Sequence, residues 1–376
     1  MKLLSASPFY LIFLSFVILF PAQSQSNTSL EGSFEQESSE YLTSNQEASG
    51  QEVSSQEPPS QAPKQNEVQE NTGDNPASIG LKQLSIALRN LNFSTSFVVV
   101  KNNQAEPYHW LHGLGDENIE LTILARLNGP RRDILQKGDI VSYIEPEYAP
   151  YSVYAKNIKG PIPSIFSGDI NSLSDNYHFV LVGKSRVLGR PAQLIRIVPK
   201  DENRLGYWLW LDLNSNLLLK LAILSEKGQM LEQIQFTHLD ITEKLSGNLV
   251  KLQESQLPAL ISLEKENNTK EEDSDQNKPK LDWQVNWLPE GFKLVSTDTS
   301  FLGNTKKLVY SKLYSDGLVD VSVYLGPALK EQQPLGYVHD GATVVLTKVF
   351  NQVEVSVVGK VPANTALKIA DSVSLR

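Results

Sequence analysis

Residues 204–241, RLGYWLWLDLNSNLLLKLAILSEKGQMLEQIQFTHLDI, constrain the fold of this chain more than any other stretch. The run predicts three antiparallel strands joined by tight turns at 214–216 and 227–228, where Asn, Ser and Gly interrupt aromatic and branched residues. Side chains alternate across a strand. Tyr207, Leu209 and Leu211 therefore share one face, and Trp208, Trp210 and Asp212 share the other. Large apolar groups stand on both faces, so the sheet needs a second layer, a ligand or a partner. Nothing in the run has the look of a nucleophile, a general base or a metal ligand. That points to a binding protein built on a curved sheet and away from an enzyme.

The N-terminus reads as an export signal: Lys2, an apolar run over 9–20, then small residues at Ala22 and Ser24, with cleavage near Ser24 or Gln25. The run is short of the roughly 20 apolar residues that a spanning helix needs. Later runs such as 217–224 are interrupted by Lys220, so the mature protein is expected to be soluble outside the cytoplasm and not membrane-spanning. There is no cysteine, which excludes disulfides, Cys-ligated zinc and thiol catalysis. The formal charge of -9 is unevenly placed. Residues 25–76 hold ten acidic side chains against Lys64 and carry that charge alone, leaving the remainder close to neutral. Nucleic-acid binding, which draws on clustered Lys and Arg, has no support.

Residues 25–76 are rich in Ser, Gln and Glu and poor in large apolar residues, the composition of a disordered spacer. A helix is expected from an N-cap at Ser78 through Leu91, with Leu84, Ala87, Leu88 and Leu91 on one stripe. Strands are expected at 93–101, 106–112, 119–127, 131–136, 140–145, 179–186 and 193–198, with the four-proline stretch 146–163 as loop. A second helix over 243–257 leads to the charged linker 264–280. Beyond it, strands at 292–298, 308–314, 318–325, 343–350 and 353–359 precede a helix over 363–373. The division expected is a signal peptide at 1–24, a spacer at 25–76, a large β domain at 77–258, a linker at 259–281 and a small α+β domain at 282–376.

Catalytic constellations are missing. His109 and His112 stand three apart on an expected strand and point to opposite faces, so they cannot share a metal there. No Gly-x-Ser-x-Gly, His-Glu-x-x-His or phosphate-cradling glycine loop occurs, and no cofactor is expected. The remaining candidates are binding residues. Arg131 and Arg132 would face opposite sides of a strand, one of them toward an anionic headgroup or a partner carboxylate, or both simply solvated. Tyr143 and Tyr151, with Tyr148 and Tyr154, cluster about the proline-rich loop and suit either an interface or loop packing. Trp208 and Trp210 suit either a core or a lipid cavity.

Four stretches carry a resemblance: NGPRRDILQKGDIVSYIEP (128–146), YHFVLVGKSRVLGRPAQLIRIVPKDENRLGYWLWLD (177–212), WLPEGF (287–292) and LYSDGLVDVSV (313–323). They resemble the periplasmic RseB/MucB proteins, negative regulators of the sigma-E envelope-stress response. The resemblance implies a large N-terminal half-open antiparallel barrel, like the lipoprotein carriers and plugged by helices, and a smaller C-terminal α+β domain. It implies a protein that is not an enzyme. It further implies binding to the periplasmic domain of a membrane-anchored anti-sigma factor (RseA or MucA), shielding from site-1 proteolysis by DegS, and release by lipopolysaccharide or another acyl-chain signal. Tyr314 and Asp316 of LYSDGL join the interface candidates on this ground. A periplasmic lipid or lipoprotein carrier is the alternative. The acidic spacer and the charged linker depart from the family pattern.

Overall fold

The computed structural model describes residues 75–146, 148–261, 281–301, 307–328 and 335–375. The expected signal peptide, the spacer up to Asp74 and most of the linker lie outside the described residues. The first described residue, Asn75, caps helix α1 (Pro76–Asn90): its side-chain oxygen accepts from the Ala77 amide at 3.0 Å. The helix thus begins ahead of the expected cap at Ser78, because Pro76 supplies a pre-set φ at a position that has no amide to lose. Leu81, Leu84 and Leu88 bury its apolar stripe.

Eleven strands then form one antiparallel sheet. They are β1 (Asn92–Lys101), β2 (Gln104–Leu114), β3 (Glu120–Arg126), β4 (Asp133–Lys137), β5 (Ile140–Ile144), β6 (Tyr151–Tyr154), β7 (Tyr177–Val187), β8 (Arg190–Pro199), β9 (Gly206–Asp212), β10 (Leu218–Leu224) and β11 (Met230–Thr242). Their order is β6-β5-β4-β3-β2-β1-β11-β10-β9-β8-β7. Two meanders are therefore stitched together by the β1–β11 pair, and the ends β6 and β7 stay apart, which leaves the barrel half-open. The Asn102-Asn103 and Leu188-Gly189 turns carry positive φ at both residues, the geometry whose twist matches a two-residue hairpin. The β9–β10 and β10–β11 turns fall where the Asn/Ser and Lys-Gly signals stand, at Asn216 (φ 62°) and Gly228 (φ 77°).

Helix α2 (Gly247–Glu254) is capped by Ser246 and buries Leu249 and Leu252 beside Leu111 and Leu121. The C-terminal part holds β12 (Trp283–Val285), β13 (Lys293–Phe301), β14 (Leu308–Ser315), β15 (Asp320–Pro327), β16 (Leu335–Asp340), β17 (Thr343–Phe350), β18 (Val353–Gly359), α3 (Ala363–Asp371) and β19 (Val373–Leu375). Six of these strands make a second sheet, ordered β13-β14-β15-β18-β17-β16, and β12 pairs with β19. Val321, Val323, Val344, Leu346 and Val357 meet Ala366 and Ile369 of α3 in its core.

Four strands escape the sequence reading. β6 lies within the proline-rich stretch read as loop, while β12 and β19 are too short to show a period. β16 exposes Leu335 through His339 on both faces, so no alternation marks it. Arg131 and Arg132 do not lie in a strand. Gly129 (φ 78°) and Pro130 widen the turn, and β4 begins only at Asp133, opposite Ala125.

The two faces of β9 are unequal. Tyr207, Leu209 and Leu211 are buried with Ile195, Leu221 and Ile234 in the core that also holds α1. A Cβ on Gly80 of α1 would come within 2.7 Å of Ile195, so the helix lies hard against this face. Asp212, fully buried, closes the β9–β10 turn: it accepts from Arg190 Nη2 (2.9 Å), Ser215 Oγ (2.7 Å) and the Ser215 amide (3.1 Å).

Two measurements check this account. Leu209→Ala removes a fully buried side chain and is expected to lower the unfolding free energy by about 2–5 kcal/mol in urea titrations. Burial alone would raise the Asp212 carboxyl, but Arg190 and Ser215 outweigh it and hold the group below the usual carboxylate range. A depressed carboxyl stabilises above its unfolded value of about 4 and loses that contribution as pH falls below it. Asp212→Asn is therefore expected to flatten the acid limb of a stability–pH profile below about pH 4; an unchanged slope refutes the assignment.

Candidate functional site

The two sheets meet around one buried guanidinium. Arg204, 2% exposed, sits at the entrance to β9. Its Nε donates to Asp316 Oδ2 at 2.9 Å, Nη1 pairs with Asp201, and Nη2 donates to the Glu290 carbonyl. The group lies over the rings of Tyr177 (5.7 Å) and Phe292 (5.3 Å). Asp316 accepts from the Tyr177 hydroxyl at 2.8 Å, and its other oxygen accepts from the Leu318 and Val319 amides. Burial first, then the Asp316 charge, push the Tyr177 hydroxyl far up, so it stays a proton donor. Three of the stretches singled out in the sequence, DENRLGYWLW, WLPEGF and LYSDGL, thus converge on one point.

Two further ion pairs join the sheets to one side of this pin, on β1 and β11. Lys101 Nζ lies 2.7 Å from Asp340 Oδ2, Asn102 Nδ2 donates to Asp340 Oδ1 at 3.1 Å, and Lys360 Nζ lies 2.8 Å from Glu232 Oε1. Two glycines permit the close approach. A Cβ on Gly341 (φ 60°) would fall 2.8 Å from the Lys101 Cβ, and one on Gly291 (φ 85°) would strike Asn176.

A cleft opens on the core side of β1–β4, between Leu88 of α1 and residues 157–167. Phe97, Trp110, His112, Thr122 and Gln136 line it. Trp110 is 7% exposed and its Nε1 finds no partner among the described residues. His112 is held by the Leu91 carbonyl (2.8 Å) and Glu120 (3.3 Å) and stacks on Phe93. The free room is about 30 Å³, far less than an acyl chain fills.

The residues expected to bind are dispersed. Arg131 is exposed and pairs with Asp133 at 2.6 Å, while Arg132 is half-buried toward Tyr108. Tyr143 and Tyr151 are buried and stack as a β5–β6 cross-strand pair, with centroids 5.4 Å apart. Trp208 and Trp210 stand half-buried on the face opposite Leu209, under Arg196 (5.2 Å) and Lys220 (4.8 Å) respectively. Tyr314 and Asp316 are buried, and only Asp316 reaches the pin. Sequence reading missed Arg204, Tyr177 and the Lys101–Asp340 pair. A lone arginine heading an apolar strand is their only sequence signal, and nothing in spacing ties it to an aspartate so far along the chain.

Residues 76–261 match the family model of the MucB/RseB N-terminal domain, and residues 277–374 match that of the MucB/RseB C-terminal domain. The chain belongs to the MucB/RseB family. Within it, the Sigma-E factor regulatory protein RseB of Escherichia coli (strain K12) is 31% identical over 308 residues, spanning 81% of this chain and 92% of that protein. The Sigma factor AlgU regulatory protein MucB of Pseudomonas aeruginosa is 29% identical over 301 residues, 79% of this chain and 90% of that protein. Among solved structures, the complex of Pseudomonas aeruginosa MucA/MucB aligns with a TM-score of 0.63 at 26% identity, covering 80% of this chain and 99% of that one. MucB in complex with MucA(peri) aligns at 0.60 and 27%, with the same coverage. The curated relatives are named as regulators.

Removing one partner of a buried ion pair leaves the other charged and unpaired. Arg204→Met is expected to destabilise the protein by about 3–5 kcal/mol in urea melts, with the Arg204→Met/Asp316→Leu double variant recovering most of the loss. If the single and double variants lose equally, the pin is not what couples the sheets.

Proposed function

We propose that this chain is a periplasmic regulator that binds the periplasmic domain of a membrane-anchored anti-sigma factor of the RseA/MucA kind. Bound there, it shields that domain from site-1 proteolysis and keeps the envelope-stress sigma factor inactive. The observation that carries the reading is the alignment, along essentially the whole of MucB, with structures in which MucB is in complex with MucA. The physical picture supports it. Two sheets pinned by Arg204 form a broad platform without a catalytic constellation, suited to holding an extended polypeptide. The protein acts as a binding module and not as an enzyme. Its working parts are the β domain at 77–258 and the small domain at 282–376, joined by the linker at 259–281 and preceded by a signal peptide at 1–24 and a spacer at 25–76. Arg131, Arg132, Tyr143, Tyr151, Trp208, Trp210, Tyr314 and Asp316 remain its proposed contact or support residues. Tyr143, Tyr151, Tyr314 and Asp316 are buried, which supports reading those four as support residues.

One observation favours a second role, the sensing of an acyl-chain signal such as lipopolysaccharide. Trp110, whose buried Nε1 has no hydrogen-bond partner among the described residues, lines a cleft that must widen before it accepts a chain.

The test mixes the purified mature protein with the periplasmic domain of the host's anti-sigma factor and the site-1 protease. The expected result is a stable complex and slowed cleavage. Failure to form a complex, with cleavage at the uninhibited rate, refutes the reading.

A further inference from the structure

The eleven-stranded sheet has two edges, and they are treated differently. β6 is covered: the Ser152 amide donates to the Ala259 carbonyl, and the Ile261 amide donates to the Ser152 carbonyl. β7 pairs only with β8. Among the described residues its outer edge meets just Asn75, whose Nδ2 donates to the Phe179 carbonyl at 2.6 Å. Backbone groups alternate sides along a strand, so that contact makes Leu181 the next residue whose amide and carbonyl point outward. Val180, Leu181, Val182, Lys184, Ser185 and Arg186 are all exposed.

The charge at this edge is one-sided. Strands β7 to β10 carry Lys184, Arg186, Arg190, Arg196 and Lys220 against a single carboxylate, Asp212, which Arg190 already holds. Asp175, Asp201 and Glu202 stand at the other end of β7, where Tyr177 pairs with Pro199. Lys184 and Arg186 lie opposite Gln193 and Pro191, so both side chains leave the same face of the strand beside the free edge. On the other face Val180 stands opposite Arg196, whose guanidinium rests over Trp208 at 5.2 Å and forms no ion pair among the described residues.

Possible occupants differ in what they satisfy. A free anion or a lipid headgroup meets the cations but leaves the outward amides and carbonyls of β7 unpaired. A second β7 pairs them but brings the same two cations to the same edge, and the register shift between Leu181 and Gly183 turns the edge away from a flat copy of itself. An acidic main chain meets both demands. With carboxylates at alternate positions, it sets them all on the face of Lys184 and Arg186, as favourable cross-strand pairs.

We propose that the free edge of β7 receives an acidic, extended segment of a partner polypeptide as a twelfth strand of the sheet, its alternate carboxylates facing Lys184 and Arg186. Main-chain pairing supplies the affinity, and the two cations select an acidic segment over a neutral or basic one. The inference deepens the proposed function, and it rests on that reading's premise that the chain holds an extended polypeptide.

Hydrogen exchange of the full chain with synthetic peptides tests it. The probe is (Thr-Glu)5, compared with (Thr-Gln)5, (Thr-Lys)5 and a (Thr-Glu)5 N-methylated throughout, which keeps the charge but cannot donate to an edge. The acidic peptide is expected to slow exchange over 180–187 about tenfold, an effect that weakens as salt rises to about 0.5 M. The neutral and methylated peptides are expected to bind about tenfold more weakly. Lys184→Glu/Arg186→Glu is expected to transfer the preference to the basic peptide.

No protection by the acidic peptide at about 1 mM overturns the proposal, as does equal binding of the neutral or the methylated peptide. Protection over 180–187 that grows with protein concentration and needs no peptide assigns the edge to a second copy. Sedimentation with phosphatidylglycerol vesicles that the double variant abolishes, without peptide protection, assigns it to an anionic membrane. Either result also overturns the proposal. Because the probes are defined peptides, failure here leaves the anti-sigma complex standing, and a missing anti-sigma complex with intact peptide binding refutes only the proposed partner.

Discussion

A guanidinium buried out of water is tolerable only if its charge and all its donors are met, and this requirement organises the molecule. Arg204 has one partner in its own loop, Asp201, and two that come from beyond the interdomain linker, Asp316 and the Glu290 carbonyl. Neither sheet can satisfy it alone. The Tyr177 hydroxyl and the 318–319 amides complete Asp316, so the acceptor is as fully used as the donor. The two further ion pairs and the glycines at 291 and 341 then fix how closely the parts approach. The result is a charged lock that fits only one arrangement, with weaker surface pairs to one side of it.

That lock has a consequence for binding. WLPEGF and LYSDGL supply the Glu290 carbonyl, Phe292 and Asp316 to the internal docking, and Asp316 is buried there. The surfaces that the lock leaves open are sheet edges, the outer face bearing Trp208 and Trp210, and the cleft beside Trp110. A rigid two-sheet platform presenting edges suits capture of an extended chain, because main-chain pairing needs an edge held still and straight.

The strands with clear alternation or strong turn residues were legible from sequence, among them β1, β9, β10, β11 and β15. The face assignment in β9 also holds, with Tyr207, Leu209 and Leu211 inward. The cap of α1 was misread because Ser78 is a good cap by type, whereas Asn75 followed by proline is better by geometry. β6 was hidden by neighbouring prolines; its pairing with β5 and residues 259–261 is a long-range matter. Arg131 and Arg132 were drawn into a strand because a turn widened by Gly129 looks, in sequence, like the start of the next run. The stack of Tyr143 on Tyr151 and the cations over Trp208 and Trp210 depend on cross-strand register, which no local window contains.

By itself, the sequence determined the class of the molecule: antiparallel sheets with few helices, a net negative charge located in one segment, no thiol chemistry and no catalytic motif. Those properties follow from composition and from periods of two and 3.6 residues, which are local. Only the tertiary structure decided that one apolar face of the 204–241 sheet is covered by α1 while the other rests on cation–aromatic contacts. The partnership of Arg204 with an aspartate far along the chain was likewise settled there, as was the contrast between a covered β6 and an open β7. These are questions of which distant groups meet, and burial settles them: a charge removed from water or an edge left in it acquires meaning only from what folding brings alongside.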